Sequence, residues 1–209
     1  EPIMTKTIAL LGQPNSGKST LYNGLTGSHQ HVGNWPGKTV EQKEGYFTID
    51  GERYIVADLP GSYSLSAGSQ EEEITRAYIA SGKADIVCIL ADASQLRRNL
   101  YMLSDFAPMR VPAVLILNMM DVAKLQGKSI DTALLSKRLG ITVVPFVAAD
   151  RKKYPELKDI LRNEFNNPKK IDTEKLDALC GGTKSEMELA NARFQWIEAL
   201  LDGVVSGEK

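Results

Sequence analysis

Residues 12–19 carry the sequence Gly-Gln-Pro-Asn-Ser-Gly-Lys-Ser, which matches the phosphate-loop pattern G-x-x-x-x-G-K-[S/T] at all four fixed positions. An apolar run precedes it and an amphipathic stretch follows, as expected where a strand passes through this loop into a helix. The two glycines let backbone N–H groups face phosphate oxygens, Lys18 reaches the β- and γ-phosphates, and the Ser19 hydroxyl binds Mg²⁺. We predict that the phosphates of a nucleotide contact Gly12, Gln13, Pro14, Asn15, Ser16, Gly17, Lys18, Ser19 and Thr20.

A second motif, Asp58-Leu59-Pro60-Gly61, follows the strand-like stretch 54–57. A carboxylate at the end of a strand can hold Mg²⁺ through water, and a glycine beyond it lets a backbone N–H approach a γ-phosphate. A D-x-x-G string is common by chance, so on its own it is weak. We predict nucleotide contacts from all four residues.

A third motif, Asn118-Met119-Met120-Asp121, follows the apolar stretch 114–117. The Asp121 carboxylate can accept hydrogen bonds from N1–H and the N2 amino group of guanine, a donor pair that adenine lacks. Asn118 is expected to tie this loop to the phosphate loop, and the stem of Met119 is expected to cover the base. The second and third motifs are each weak alone, but together with the complete phosphate loop, in this order and each at the carboxyl end of a strand, they indicate a guanine-nucleotide site.

Composition narrows the classes of function. The 209-residue chain has a formal net charge of −1, so it offers no basic field for a nucleic-acid backbone. Its two cysteines, Cys88 and Cys180, form no C-x-x-C motif, which favours a reducing compartment and no zinc site. The longest apolar run, residues 111–120, is too short to span a bilayer.

The pattern of strands and helices predicts an α/β fold with a mostly parallel sheet, one antiparallel hairpin edge and helices on both faces. A polar loop is expected from Gly27 to Lys38. Strands are predicted at 6–11, 39–49, 52–57, 86–91, 113–117 and 143–147, and helices at 18–26, 70–81, 95–106, 131–139 and 155–164.

Asn166 begins a change in composition that predicts a domain boundary, with one domain at 1–165 and a short helical domain at 166–209. Ser185 is expected to cap a last helix. The predicted apolar stripe of that helix leaves out Trp196, which we therefore expect at an interface. The stripe consists of Ala190, Phe194, Ile197, Leu201 and Val204.

These motifs resemble the translation-factor-related small GTPases, and the resemblance implies a Ras-like P-loop fold. It also implies a switch threonine, Thr39, in a loop whose nucleotide contacts are Gly37, Lys38, Thr39, Val40 and Glu41. A fifth, base-contacting loop falls at Val147, Ala148 and Ala149, where a backbone N–H would meet guanine O6. Trp35 is interpreted as an anchor of the switch loop or a partner contact rather than a core residue.

Two longer stretches of sequence are more specific for one family than the general GTPase motifs are. Residues 32–41, Val-Gly-Asn-Trp-Pro-Gly-Lys-Thr-Val-Glu, and residues 92–101, Asp-Ala-Ser-Gln-Leu-Arg-Arg-Asn-Leu-Tyr, resemble the cytosolic N-terminal G domain of the ferrous iron transport protein B (FeoB) family. The resemblance implies a GTPase at the cytoplasmic face of the prokaryotic inner membrane that regulates or drives an iron(II) permease domain of the same polypeptide. The resemblance is also compatible with small accessory Feo proteins as partners and with a homo-oligomer. Residues 1–209 alone are expected to be soluble, without a nucleic-acid partner.

The resemblance also implies roles in catalysis. Asn15, Lys18, Thr39 and Gly61 are the predicted catalytic residues, with Mg²⁺ held by Ser19, Thr39 and Asp58 and K⁺ held by Asn15. Many GTPases place a water-orienting glutamine where this chain has Ser62, whose side chain is too short for that role, so slow intrinsic hydrolysis is expected. The loops at 28–40 and 61–70 are expected to become ordered when a γ-phosphate is bound.

One alternative from another class remains open. RNA- or ribosome-associated assembly GTPases of the Era-like group share the P-N-x-G-K-S loop found at residues 14–19. A basic appendage would favour that alternative, but residues 166–209 are not strongly basic and contain no RNA-binding motif.

Overall fold

A twisted seven-stranded sheet organises the protein, and the computed structural model describes residues 5–65 and 68–207 of it. The ends of the two predicted domains, at residues 1–4 and 208–209, lie outside the described residues, and so do residues 66–67 of the predicted 61–70 loop. The strands of the main sheet are β1 (Lys6–Gly12), β2 (Gln30–Asn34), β3 (Glu41–Ile49), β4 (Glu52–Asp58), β5 (Ile86–Asp92), β6 (Ala113–Asn118) and β8 (Val143–Pro145).

Two further strands, eight α-helices and three single-turn 3₁₀ helices complete the described fold. The short strands β7 (Ser129–Ile130) and β9 (Val205–Ser206) form a separate antiparallel pair. The helices are α1 (Lys18–Thr26), α2 (Gln70–Ala80), α3 (Leu96–Phe106), α4 (Met120–Leu125), α5 (Thr132–Leu139), α6 (Tyr154–Glu164), α7 (Glu174–Cys180) and α8 (Glu186–Leu201).

The sheet order is β2-β3-β4-β1-β5-β6-β8, and β1 pairs in parallel with both β4 and β5. The pairs β5–β6 and β6–β8 are also parallel, whereas β2–β3 and β3–β4 are antiparallel and form one edge. The carboxyl ends of β1, β4 and β6 therefore meet at one edge of the sheet, where ligands bind in α/β proteins of this kind.

The core lies on both faces of the sheet because the central strands are apolar on both sides. Ile8 and Leu10 belong to a cluster that includes side chains of α1 and α6. Ala9 and Leu11 belong to the opposite cluster, which includes side chains of α2, α3, α5, α7 and α8. This alternation follows from the two-residue period of a strand, and it holds the loops at the strand ends on a rigid base.

The prediction of a loop from Gly27 to Lys38 is wrong for residues 30–34. Residues 30–34 form the edge strand β2, which pairs with β3 from Gln30 opposite Gly45 to Asn34 opposite Glu41. All five residues of β2 are exposed, and Val32 is the one large apolar side chain among them. The sequence of β2 therefore shows no alternation of apolar and polar side chains from which a strand could be recognised.

The two tryptophans both lie in the core, which corrects the expectations for them. Trp35 is 7% exposed and packs edge-on against Tyr78 with ring centroids 5.5 Å apart. It anchors its loop, as predicted, but it does so as a core residue. Trp196 is 2% exposed, so the predicted interface role is wrong.

The rotation of α8 explains the error over Trp196. Its buried residues are Ala192, Trp196, Ile197, Leu200 and Leu201. Phe194, which the predicted stripe included, is 52% exposed and lies against the Tyr101 ring of α3 with centroids 4.8 Å apart. Burying the indole together with three large aliphatic side chains removes more apolar surface from water than burying Phe194 would.

The helix α8 begins as predicted. Ser185 and Glu188 form a capping box, in which the Ser185 hydroxyl accepts from the Glu188 N–H. At the other end, the Arg138 guanidinium of α5 donates to the carbonyls of Ala199, Leu200 and Asp202, which complements the negative end of the helix. The apolar side of α8 thereby continues the core cluster over α3 and α5.

Among the described residues, no helix combines the length and the apolar composition that a membrane span requires.

Candidate guanine-nucleotide site

The phosphate loop between β1 and α1 is held in a conformation that only certain residues adopt easily. Asn15 and Gly17 both have positive φ angles, 68° and 92°. A Cβ atom at Gly17 would lie 2.0 Å from Nδ2 of Asn118, so a glycine is required there for space as well as for its backbone angle. The loop is therefore shaped by its contact with the end of β6.

Nine of the predicted residues line one cavity of about 460 Å³ at the carboxyl ends of the strands. They are Gln13, Pro14, Asn15, Gly17, Lys18, Ser19, Thr20, Gly61 and Met119. The phosphate loop, Gly61 and the loop after β6 therefore line the same cavity, as the order of the motifs predicts.

A second cavity, of about 480 Å³, lies between α5, α7 and α8 and is lined by none of the predicted site residues. The two volumes are nearly equal, so volume does not identify the site. The choice rests on chemistry, because the cavity at the strand ends carries the loop suited to phosphate and the other does not.

Lys18 and Asp58 form an ion pair inside this site. The Lys18 ammonium donates to Oδ1 of Asp58 and, at 2.7 Å, to the carbonyl oxygen of Leu59. The two side chains are only 11% and 9% exposed. The motifs predict Lys18 at phosphate and Asp58 at Mg²⁺. The ion pair shows that both groups reach the same point, where a bound phosphate would compete for Lys18.

Asn118 joins three loops through one amide. Its Nδ2 donates to the Ser16 carbonyl at 2.9 Å, and its Oδ1 accepts from the Ala148 N–H at 2.8 Å. Because Asn118 is 3% exposed, both hydrogen bonds are shielded from water. The prediction that Asn118 ties its loop to the phosphate loop is confirmed, and the same side chain also fixes the loop at 147–149.

That contact refines the role predicted for the fifth loop. The Ala148 N–H already donates to Asn118 and is therefore not the amide that faces a base. Ala149 is exposed and Val147 half-buried, so the Ala149 amide is the better candidate to meet a base oxygen. Asp121 lies exposed in the first turn of α4, the helix that follows β6.

Tyr154 supports this region, although no sequence motif predicts it. Its hydroxyl donates at 2.6 Å to the Ala148 carbonyl and lies 3.3 Å from the Thr20 carbonyl. A Cβ at Gly24 would lie 2.1 Å from the Tyr154 ring, so the glycine inside α1 makes room for it. Burial raises the pKa of Tyr154 to about 12, and the hydroxyl remains a donor at neutral pH. A glycine inside a helix pattern was the available signal.

The segment after Asp58 crosses close to the phosphate loop. The Leu59 N–H donates to the Leu10 carbonyl at 3.1 Å, and the Ser62 N–H lies 3.4 Å from the Gly12 carbonyl. A Cβ at Gly61 would lie 3.7 Å from Pro14, which places this backbone against the loop. The Ser62 side chain is buried and is not among the residues that line the cavity.

The switch loop, defined here as residues 35–40, is exposed from Pro36 to Thr39. It is closed by two backbone hydrogen bonds, from the Trp35 N–H to the Val40 carbonyl and from the Lys38 N–H to the Trp35 carbonyl, both 2.9 Å. Gly37, Lys38, Thr39, Val40 and Glu41, all predicted to contact the nucleotide, are not among the residues that line the cavity of the phosphate loop.

This fold and site define a Ras-like G domain of the P-loop GTPase class. A family model described as ferrous iron transport protein B matches residues 6–161, which is most of the described chain. The chain belongs to that family, FeoB, as its longer sequence strings predicted.

Curated relatives agree with this assignment. The Fe(2+) transporter FeoB of Salmonella typhimurium is 39% identical over 96% of this chain, and that of Escherichia coli K12 is 46% identical over 73%. This chain spans only 27% and 20% of the lengths of those relatives.

Solved structures show the same fold. The cytosolic domain of T. maritima FeoB in its GMPPNP form superposes with a TM-score of 0.84 at 30% identity, covering 96% of this chain and 99% of that one. Its GDP form I gives 0.86 at 29% identity, covering 99% and 100%. The cytosolic domain of L. pneumophila FeoB gives 0.80 at 32% identity, covering 96% and 100%. The Ras-like fold class is thereby confirmed.

Proposed function

We propose that this chain binds guanine nucleotides, hydrolyses GTP and so regulates or drives ferrous iron uptake through a membrane permease domain of the same polypeptide. The observation that carries the proposal is the Asn118 amide, which holds the phosphate loop and the 147–149 loop in one frame. Phosphate and base groups can then bind without rearrangement of that frame. The relatives named as Fe(2+) transporters and the structures solved with GDP and GMPPNP support it.

Base selection rests on three groups near the end of β6. Asp121 accepts from the N1–H and N2 amino donors of guanine, the Ala149 amide donates to O6, and Met119 covers the ring. With adenine, the Asp121 carboxylate would lose its donors while still being desolvated, which disfavours ATP.

Phosphate binding uses the ammonium of Lys18 and the N–H groups from Asn15 to Ser19. Oxygen atoms of Ser19, Thr39 and Asp58 would hold Mg²⁺, because this ion takes hydroxyl, carboxylate and phosphate oxygens and keeps several waters. Thr39 would have to move to join them, since it does not line the cavity here. Asn15 offers a side-chain oxygen for K⁺ beside the same cavity. When bound, both cations would supply positive charge against the β- and γ-phosphates.

Catalysis then depends on positioning. Lys18 stabilises charge that grows on the β–γ bridge, and the Gly61 N–H donates to the γ-phosphate. Ser62 cannot orient water as a glutamine would, because its side chain is short and buried. Slow intrinsic hydrolysis is therefore part of the proposal, and so is activation by K⁺ at Asn15.

In the cell, the nucleotide site would lie at the cytoplasmic face of the prokaryotic inner membrane. The permease domain would be the principal partner, with small accessory Feo proteins and a second copy of the chain as further partners. Membership in the FeoB family leaves the RNA-associated alternative without support.

Phosphate release from GTP tests the proposal. The wild type is expected to hydrolyse GTP slowly and several-fold faster in KCl than in NaCl at equal ionic strength, and Asn15→Ala is expected to remove that difference while still binding GDP. GTP turnover no faster than in buffer would contradict the enzyme assignment, and turnover indifferent to the cation would make Asn15 structural.

A further inference from the structure

The Asp105 carboxylate lies near the end of α3, between the segment after Gly61 and the helix α8. Its side chain is only 2% exposed. Oδ2 accepts from the Ser64 hydroxyl at 3.1 Å and from the Leu65 N–H at 3.3 Å. Oδ1 lies 2.6 Å from Nη1 of Arg193 in α8. One buried charge therefore touches two elements that are far apart in the chain.

On one side, Asp105 holds backbone that leads directly from Gly61. Ser64 and Leu65 are three and four residues beyond that glycine. Leu65 is itself 2% exposed within the core, and its carbonyl accepts from the Arg76 guanidinium of α2 at 3.3 Å. A shift of the Gly61 backbone toward a γ-phosphate would therefore pull on the two donors of Oδ2.

On the other side, Asp105 holds α8 through charge. The contact of Oδ1 with Arg193 is an ion pair between a buried carboxylate and a guanidinium that is 29% exposed. A second pair between α3 and α8, Arg97 with Glu198, is about half exposed at both ends and is more strongly screened by water.

A buried carboxylate must keep its partners. If the Ser64 and Leu65 donors move away, the charge on Oδ2 loses its hydrogen bonds in a medium of low dielectric. The attraction between the carboxylate and Arg193 then becomes stronger. If they move closer, the pull on Arg193 weakens. The position of the segment after Gly61 and the position of α8 are therefore linked through one side chain.

We propose that Asp105 is the positioning residue that couples the segment after Gly61 to α8, so that the nucleotide state is transmitted to the C-terminal helix through this carboxylate. The inference rests on the proposed function, because the two states differ in the γ-phosphate that Gly61 meets. The link between the segment after Gly61 and α8 is thereby assigned to a single buried charge on α3 rather than to the apolar packing of α8.

Asp177 offers a control of the same chemistry at a half-exposed position. It too lies beside an arginine and a hydroxyl, because its Oδ2 accepts from Arg110 Nη2 at 3.1 Å and from the Thr173 hydroxyl at 2.9 Å. It lies on α7, and these two partners lie outside the segment after Gly61 and outside α8. Asp177→Asn therefore makes the same chemical change as Asp105→Asn at a pair that the proposal does not use.

Hydrogen exchange in the GDP state and with a non-hydrolysable GTP analogue tests the coupling. In the wild type and in Asp177→Asn, we expect exchange to differ between the two states both in the segment around 61–65 and in α8. In Asp105→Asn, whose side-chain oxygen can still accept from Ser64 and Leu65, the difference should persist around 61–65 and be lost in α8. Arg193→Gln should give the same loss and serves if Asp105→Asn fails to fold.

Several outcomes would overturn the coupling. They are an α8 difference retained in Asp105→Asn or Arg193→Gln, an equal loss in Asp177→Asn, and a wild-type α8 that does not respond while residues 61–65 do. Failure of the proposed function would look different, because neither nucleotide would then alter exchange anywhere near the phosphate loop.

Discussion

The phosphate loop and the switch loop follow each other in the chain but are held very differently. Ser16 and Gly17 are fixed by the buried Asn118 amide, and a Cβ at Gly17 would lie 2.0 Å from it. The switch loop is closed by two backbone hydrogen bonds, and a Cβ at Gly37 would meet nothing within 4 Å. One loop is shaped before a ligand arrives, whereas the other has room to change.

This difference fits the two tasks of a nucleotide switch. Binding the base and the first phosphates benefits from a frame that needs no ordering, since ordering costs free energy. Sensing the γ-phosphate requires a segment that lies close in free energy to a second conformation. The shielded contacts of Asn118 serve the first task, and the exposed residues 36–39 suit the second.

The largest expected effect comes from comparing glycine substitutions in the two loops. Gly17→Ala forces an alanine into a backbone conformation with positive φ and displaces the Asn118 amide from its buried hydrogen bonds. Together these two effects should lower the free energy of unfolding by about 3 kcal/mol or more. Gly37→Ala adds only the backbone strain, about 1–2 kcal/mol. Urea unfolding of the two variants measures both values.

Equal destabilisation by Gly17→Ala and Gly37→Ala would break the comparison, because it would mean that the phosphate loop relaxes around an added methyl group as freely as the switch loop. GDP affinity provides a second reading. It should fall sharply in the folded fraction of Gly17→Ala and stay near the wild-type value in Gly37→Ala.

Lys18→Ala should have the next largest effect on nucleotide binding, and it should also destabilise the fold because it leaves the buried Asp58 carboxylate without its partner. Removing a charge-assisted contact to phosphate costs about 2–3 kcal/mol, which corresponds to a roughly 30–150-fold weaker affinity for GDP. Titration of a fluorescent GDP analogue measures the change, with Lys38→Ala in the switch loop as the matched lysine control. A similar loss in both lysine variants would contradict the assignment of the rigid phosphate site to Lys18.

Thr39→Ala should have a smaller and more selective effect. If Thr39 joins the site only when the γ-phosphate and Mg²⁺ are present, its loss should slow GTP hydrolysis roughly tenfold, as for other groups that support a metal site. GDP affinity should not change. A matching loss of GDP affinity would show instead that the switch loop belongs to the preformed frame.

The sequence predicts much of this site because its motifs are local. Gly12 to Ser19 follow one another in the chain, and the strand before them leaves a clear apolar pattern. Asp58 and Asn118 are recognisable for the same reason, since each directly follows such a strand. The parallel order of the sheet then brings these ends together.

The rest depends on tertiary contacts that leave little local pattern. The strand β2 is entirely exposed and therefore shows no alternation. Trp196 is buried because α8 turns its indole toward the core, a rotation that the spacing of the smaller apolar residues did not show. The contacts of Tyr154 with Ala148 and of Asp105 with Arg193 join residues through packing, and a single sequence gives only faint signs of them.

The most direct test of the central claim is calorimetric titration of the wild type and of Asp121→Asn with GDP, ADP and XDP. The wild type should bind GDP at least about 100-fold more tightly than ADP, because only guanine satisfies the carboxylate. Asp121→Asn should lose GDP and gain XDP, since the Asn amide can donate to the 2-oxo group of xanthine. Equal affinity of the wild type for GDP and ADP would contradict the account.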